Sequence, residues 1–150
     1  MKTVVLGLGN PILRDDGAGI EVIKLLEGKL AADCELKMAS VGGLRILDQI
    51  CGFERAIIVD ALLNGAPAGT VRKMGPDDLA GDLHASCVHD LNFKEALQLG
   101  RMMGMPLPQE ITIYGIEVAD PFQLREGCSP DVLSGAKKAA RLIREDLETK

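Results

Sequence analysis

Near its N-terminus the chain reads Thr3-Val4-Val5-Leu6-Gly7-Leu8-Gly9-Asn10, and the first six of these residues form an almost continuous apolar run. The run Ala56-Ile57-Ile58-Val59 has the same character farther along the chain. Uninterrupted runs of branched apolar residues are typical of parallel strands that are covered on both faces. The two runs therefore predict a parallel sheet buried between layers of helices.

Strand-like runs alternate with segments of helical periodicity along the rest of the chain. The predicted strands are residues 3–8, 35–41, 56–59, 70–74 and 110–118, and the predicted helices are residues 18–30, 44–51, 91–103 and 131–147. Residues 70–74 follow a turn-like segment and are expected to run antiparallel. The fold class is therefore α/β, a three-layer sandwich whose twisted, mostly parallel (mixed) sheet has about five strands flanked by helices. A length of 150 residues predicts a single domain over residues 1–150.

The last helix has the clearest local signals. Ser129 is placed to cap it, Pro130 suits its first position and Asp131 complements its dipole. An apolar stripe at helical spacing follows, formed by Val132, Ala136, Ala139, Ile143 and Leu147. These signals predict a structural helix.

Composition narrows the function classes. The formal net charge is -5, and Lys and Arg are nowhere clustered, so a broad surface for nucleic acid is not expected. No apolar run approaches the roughly 20 residues that a membrane helix needs. The short apolar run at the N-terminus is interrupted by Gly9-Asn10-Pro11 before a signal sequence could form, so we expect a cytoplasmic protein. The four cysteines lie far apart in the sequence, so we expect reduced thiols.

Acidic residues follow two of the predicted parallel strands. In an open α/β sheet, ligands bind beyond the carboxyl ends of the strands, where Asp15, Asp16 and Asp60 are expected. One of the adjacent pair, Asp15 or Asp16, is expected to cap the first helix, but two carboxylates exceed what capping needs. Asp60 suits a turn cap as well as it suits a functional site.

The two histidines, His84 and His89, lie near the start of the predicted third helix. A packing role is the simpler interpretation of either. His89, however, directly precedes a helix N-terminus, where the dipole favours the neutral, metal-binding imidazole. Asp16, Asp60 and His89 could thus converge as ligands of a divalent transition metal, although no local metal motif is present and a borrowed metal is favoured. The long irregular segment 75–88 is either partly ordered or a functional loop beside a site.

Four features in this order resemble the hydrogenase maturation endopeptidases: Gly7-x-Gly9-Asn10, Asp15-Asp16-Gly17, the aspartate Asp60 after the third strand, and His89-Asp90-Leu91. The resemblance covers essentially the whole chain and implies a phosphorylase/hydrolase-like sandwich. It also implies an endopeptidase that removes the C-terminal extension of the nickel-loaded large-subunit precursor of a NiFe hydrogenase. Nickel would arrive with the substrate, and another divalent metal could replace it.

The resemblance also implies roles for individual residues. Asp16, Asp60 and His89 would contact the metal and carry out catalysis, although the first of these positions is often glutamate in relatives. Substrate binding would involve residues of the loops after the first two strands, namely Gly9, Asn10, Asp15, Gly42 and Gly43. The implied partner is the hydrogenase large-subunit precursor, with no nucleic acid and no membrane, and the protein is expected to be a monomer.

Two other interpretations stay open. The segment Gly7-Leu8-Gly9-Asn10-Pro11 also resembles peptidyl-tRNA hydrolases, but that family has a histidine soon after this motif and a basic surface, where this acidic chain has Asp15-Asp16. A non-enzymatic nucleotide- or metal-binding module could use the same sheet edge. Against a dinucleotide site, Ile12 stands where the third glycine of the dinucleotide fingerprint would be.

Overall fold

The computed structural model describes residues 2–84, 91–119 and 123–149. Its strands are β1 (Thr3–Leu8), β2 (Cys34–Ala39), β3 (Arg55–Leu62), β4 (Val71–Met74) and β5 (Glu110–Glu117). Its α-helices are α1 (Ala18–Leu26), α2 (Leu44–Ile50), α3 (Phe93–Met102) and α4 (Pro130–Glu148). Two short 3₁₀ turns, Arg14–Gly17 and Pro76–Asp78, lie before α1 and after β4.

The strands form one mixed sheet in the order β2-β1-β3-β5-β4. The first four strands of this order are parallel to one another, and β4 pairs antiparallel with β5 at the edge. The predicted mixed sheet and the antiparallel direction of the fourth strand are therefore confirmed.

Helices cover both faces of the sheet. Alternate residues of β1 point to opposite sides: Val4, Leu6 and Leu8 pack with α2 and α3, whereas Val5 packs with α1 and α4. This alternation is the two-residue period of a strand, and here both faces of the sheet are apolar. The predicted three-layer sandwich is confirmed.

Helix α1 lies unusually close to the sheet because glycines face each other across the contact. A Cβ atom at Gly7 would lie 2.4 Å from the carbonyl oxygen of Gly19. A Cβ atom at Gly19 would lie 2.4 Å from the carbonyl oxygens of both Leu8 and Val59. Because these separations are far shorter than van der Waals contact, only glycine allows the backbones to approach in this way.

Some boundaries differ from the sequence prediction. Strand β3 continues to Leu62 rather than ending at Val59, because it pairs with β5 over its whole length. Helix α1 ends at Leu26 rather than at Leu30, since Glu27 is extended and Gly28 has a φ of 73°. The last helix begins at Pro130, as its N-terminal signals indicate.

The cap predicted for α1 is wrong, and the one predicted for α4 is confirmed in position but not in its side-chain hydrogen bond. Neither Asp15 nor Asp16 caps α1, whose N-cap residue is Gly17. Ser129 occupies the N-cap position of α4, but its hydroxyl donates to the Asp15 carboxylate at 2.9 Å instead of capping the helix. The backbone N–H of Ser129 donates to the same carboxylate at 2.7 Å. Asp15 therefore joins the loop after β1 to the start of α4.

Within residues 2–84, 91–119 and 123–149, no helix combines the length and the apolar character needed to cross a membrane. The described cysteines, Cys34, Cys51 and Cys128, are free thiols. Cys87 lies outside the described residues.

Candidate active site

The candidate site lies beyond the carboxyl ends of β1, β2 and β3, where three loops meet. It contains Asp16 from the loop after β1, the carbonyl of Val41 after β2, and Asp60 near the end of β3. His84, from the segment that follows β4, lies among them. The parallel arrangement of the three strands brings their carboxyl ends to one edge of the sheet, which positions these groups together.

Asp16 is held by the tight loop that precedes it. The residue is buried, and its Oδ2 atom accepts the backbone N–H of Asn10 at 2.9 Å. Gly9 has a φ of 152°, and a Cβ atom there would lie 2.2 Å from the carbonyl oxygen of Asp16. Asn10 and Gly9 are both predicted to bind substrate; Asn10 holds the Asp16 side chain through its backbone N–H, and Gly9 allows the chain to pass close to the Asp16 backbone.

Asp60 is almost completely buried, with 1% of its surface exposed. Its Oδ1 atom accepts the N–H of Ala61 at 2.8 Å, and its Oδ2 atom accepts the N–H of His84. Burial, aided by the negative charge of Asp16, raises the pKa of Asp60 to about 7, although both N–H groups favour the ionised form. A carboxyl group with such a pKa can take up and release a proton near neutral pH.

His84 connects the two carboxylates. Its ring is buried, with Nδ1 2.9 Å from the carbonyl oxygen of Val41 and Nε2 3.4 Å from Oδ2 of Asp16. Because a carbonyl only accepts, Nδ1 carries a hydrogen and Nε2 faces Asp16. Burial alone would lower the pKa of His84, but the hydrogen bond with Asp16 and the charge of Asp60 outweigh it and raise that pKa.

Sequence reasoning missed His84 as a site residue, because its position before a predicted helix suited a packing role. Its backbone φ of 50° is uncommon for a residue other than glycine. One signal could have found it, since it lies in segment 75–88, whose length suggested either partial order or a functional loop. The described part of that segment contains the 3₁₀ turn Pro76–Asp78 and the buried residues Leu79 and Leu83.

The other predicted site residues have varied positions. His89 lies outside the described residues. Gly42 and Gly43 are buried between β2 and α2, directly after Val41, and Gly43 adopts a φ of 56° at the N-cap of α2. Asp15 is buried, and Ser129 occupies its carboxylate, so its position suits a structural role.

The described residues bring at most one pair of possible metal donors together, and that pair also forms the hydrogen bond described above. His84 Nε2 and Asp16 Oδ2 are 3.4 Å apart. Two donors on one transition-metal ion lie about 3 to 3.5 Å apart, because each is about 2.1 Å from the ion. Among residues 2–84, 91–119 and 123–149, no cluster of three or more His, Cys, Asp and Glu side chains could hold an ion.

A pocket of about 230 Å³ opens beside Asp16. The end of β3, strand β4 and residues 78–82 form its walls, and Val118 after β5 contributes to it. Because Asp16 lines it and Asp60 does not, the pocket adjoins the candidate site on the side of Asp16.

Comparison with known proteins shows the same fold and the same family. Residues 20–146 match the profile of a family described as hydrogenase maturation protease. Hydrogenase expression/formation protein HupD of Thiocapsa roseopersicina is 25% identical over 97% of this chain and 67% of that protein. The Hydrogenase 2 maturation protease of Escherichia coli strain K12 is 24% identical over 88% of this chain and 82% of its own length.

Solved structures agree on the fold. The hydrogenase maturating endopeptidase HybD from E. coli superposes with a TM-score of 0.80 at 20% identity, covering 99% of this chain and 93% of that one. The hydrogenase maturation protease HycI from Thermococcus kodakarensis KOD1 superposes with a TM-score of 0.73 at 22% identity, and the match covers 98% of this chain and 92% of that one. The resemblance suggested by the sequence motifs is thus confirmed, and because the profile match spans most of the chain, this protein belongs to the hydrogenase maturation protease family and is a peptidase.

Proposed function

We propose that this peptidase removes the C-terminal extension of the nickel-loaded large-subunit precursor of a NiFe hydrogenase. Family membership supports the reaction class and the hydrogenase large subunit as partner. The observation that carries the proposal is the buried cluster in which His84 contacts both Asp16 and Asp60 at the carboxyl edge of the sheet. Carboxylates and imidazoles are ligands that a divalent nickel ion accepts, and the proposed ligands are Asp16, Asp60 and His89, the last of which lies outside the described residues.

In this proposal nickel is part of the substrate. The precursor carries it to the site, where Asp16, Asp60 and His89 contact it and so fix the position of the peptide bond to be cleaved. Water is activated for attack on that bond either by the metal or by a carboxylate. Another divalent metal of similar ligand preference would replace nickel in binding experiments.

The remaining properties belong to the same proposal. The protein acts in the cytoplasm as a monomer, with the precursor as its macromolecular partner. Its net charge of -5 makes nucleic acid an unsuitable ligand, because binding to a phosphate backbone depends on clustered cations.

The test is processing of purified large-subunit precursor, with and without nickel, followed by mass measurement. We expect loss of a C-terminal peptide only from the nickel-loaded form. Asp16→Asn, Asp60→Asn and His89→Gln should each lower the cleavage rate at least about 100-fold, since groups that contact the reacting centre contribute on the order of 10² to 10⁴ in rate.

Asp77→Asn is the matched control, because Asp77 is exposed and lies outside the site. It should cleave at the parent rate, and thermal melting should show that all four variants are folded. Unchanged cleavage by the three site variants, or equal cleavage of nickel-free precursor, would contradict the proposal.

A further inference from the structure

Asp82 links the residues that precede His84 to the start of α3. Its Oδ1 atom accepts two backbone N–H groups, that of Leu83 and that of Phe93, each at 2.8 Å. Leu83 directly precedes His84, and Phe93 is the first residue of α3. One carboxylate oxygen of Asp82 therefore ties segment 82–84 to the end of a helix.

The N-terminus of α3 is a fixed point for this link. Asn92 caps the helix by accepting the N–H of Glu95 at 2.8 Å, and the Glu95 side chain accepts the N–H of Asn92 at 3.1 Å. The N–H of Phe93 has no acceptor within the helix, because it lies in the first turn, and Asp82 supplies that acceptor. A carboxylate is also favoured at the positive end of the helix dipole.

His84 depends on its neighbours because its backbone conformation is unfavourable. Its φ of 50° lies in the left-handed region, which costs a residue other than glycine on the order of 1 to 3 kcal/mol. Such a conformation persists only where the surrounding structure holds it. On the N-terminal side of His84, the buried Leu83 side chain packs in the same apolar cluster as Phe93, and Asp82 binds the backbone of both.

We propose that Asp82 is a positioning residue of the peptidase, which keeps the His84 ring against Asp16 by tying segment 82–84 to α3. The inference rests on the proposed function, in which Asp16 contacts the precursor's nickel. The His84 N–H donates to Asp60, and its Nε2 lies 3.4 Å from Oδ2 of Asp16, so a shift of the segment would move both contacts. Asp82 also lines the pocket beside Asp16, so the tests must separate positioning from a direct contact with the precursor.

The first test separates the geometry of Asp82 from its charge, with cleavage of nickel-loaded precursor as the measurement. Asp82→Ala removes the shared acceptor and should lower kcat about 10- to 100-fold with little change in KM, since groups that orient a metal-binding side chain contribute about that factor. Asp82→Asn keeps an oxygen at the position of Oδ1 and should retain most of the parent's kcat. Asp82→Glu keeps the charge but displaces the oxygen by one methylene, so its kcat should fall as in Asp82→Ala.

Asp78→Ala is the matched control. Asp78 lines the same pocket and accepts the N–H of Gly75 at 3.0 Å, but that bond lies within the turn at Pro76–Asp78 and does not reach α3. This variant should cleave at the parent rate. Melting temperatures of all variants would show that they are folded, and Asp82→Glu replaces Asp82→Ala if the alanine variant is not.

The second test asks whether Asp82 acts through His84. In His84→Asn the shorter side chain no longer faces Asp16. Adding Asp82→Ala to His84→Asn should lower kcat by no more than about twofold, because both changes remove the same contact and effects on one contact do not add.

The third test needs no precursor. Above the pKa of His84, nitrogen NMR of the free parent enzyme should show one ring tautomer, with the hydrogen on Nδ1, because the Val41 carbonyl only accepts. Asp82→Ala should give a mixture of tautomers, and Asp82→Asn should keep the single form. His84→Asn identifies the signals of this ring by removing them.

The outcomes are distinguishable. Loss in Asp82→Ala, recovery in Asp82→Asn and no further loss on His84→Asn support the proposal. Activity that follows the charge, with Asp82→Glu active and Asp82→Asn impaired, would indicate a direct contact and overturn it. An additive loss with His84→Asn, or a parent-like ring spectrum in Asp82→Ala, would also overturn it. If the parent cleaves no nickel-loaded precursor, the proposed function fails, and the ring spectrum still decides whether Asp82 positions His84.

Discussion

His84 contacts both acidic residues of the candidate site, through its backbone N–H and its ring. Its other ring nitrogen is fixed by the carbonyl of Val41. Such an arrangement holds the ring in one orientation and sets the direction of Nε2 toward Asp16. Groups that orient a catalytic or metal-binding side chain typically contribute about 10- to 100-fold to its activity or affinity.

Two substitutions of His84 separate its contacts. His84→Asn keeps an amide close to the position of Nδ1, which can still donate to Val41, but leaves nothing facing Asp16. His84→Gln places an amide close to the position of Nε2, where it can still donate to Asp16. We expect kcat/KM for nickel-loaded precursor to fall about 10- to 100-fold in His84→Asn and clearly less in His84→Gln.

Melting temperatures measured in parallel would show whether a loss of activity reflects unfolding. Equal losses in the two variants would mean that His84 does not act by orienting Asp16.

At the level of elements, helix α1 depends on glycine at its contact with β1 and β3. Replacing glycine by alanine inside a helix ordinarily stabilises it by about 1 kcal/mol. At Gly19 the sign should reverse, because the new Cβ atom would lie 2.4 Å from two carbonyl oxygens of the sheet. We expect Gly19→Ala to lower the free energy of unfolding by about 1 to 3 kcal/mol, measured by urea denaturation.

Gly81→Ala provides the comparison. A Cβ atom at Gly81 would have no neighbour within 4 Å. The free energy of unfolding of the Gly81→Ala variant should stay within about 0.5 kcal/mol of the parent value. A Gly19→Ala variant as stable as the parent would show that α1 can move away from the sheet without cost.

At the scale of the whole molecule, a charged cluster joins the sheet to α4. Arg55, at the start of β3, has 2% of its side chain exposed and donates to Asp146 of α4 at 2.9 Å. The hydroxyl of Tyr114 donates to the same carboxylate at 3.2 Å, and Lys73 of β4 lies 3.4 Å from it. Burial acts to raise the pKa of Asp146, but Arg55 and Lys73 outweigh it and hold that pKa below its usual value of 3.8.

Asp146→Asn should therefore destabilise the fold at pH 7. Without Asp146, the buried guanidinium of Arg55 keeps Glu110, 3.6 Å away, as an acidic partner, so we expect a cost of about 1.5 to 3 kcal/mol, the range for a lost hydrogen bond to a charged group. Since the folded state lowers the pKa, the parent's advantage is fully present above pH 3.8 and is lost as the pH falls toward the lower folded value. Urea denaturation should therefore show a smaller difference in the free energy of unfolding between the parent and Asp146→Asn at pH 3 than at pH 7.

Glu145→Gln is the control for that comparison, since Glu145 is 62% exposed and pairs only weakly with Arg141 at 3.9 Å. It should change stability by less than about 0.5 kcal/mol. If the difference in the free energy of unfolding between the parent and Asp146→Asn grew at low pH, the lowered pKa assigned to Asp146 would be contradicted.

The sequence by itself determined the layers and the order of elements. Apolar periodicity is a local property, so the buried run of β1, the alternation of strands and helices and the stripe of α4 could be read directly. The same residues placed Asp16 and Asp60 at the carboxyl edge, because parallel strands end together.

Only the tertiary structure decided how individual polar groups are used. Asp15 looked like a helix cap or a substrate ligand, yet Ser129, more than a hundred residues away in sequence, holds its carboxylate. His84 looked like a packing residue, yet it lies between two carboxylates from other loops. The hydrogen-bond partners of buried groups depend on which loops, distant in sequence, lie together in the fold, and a local sequence pattern carries no information on that.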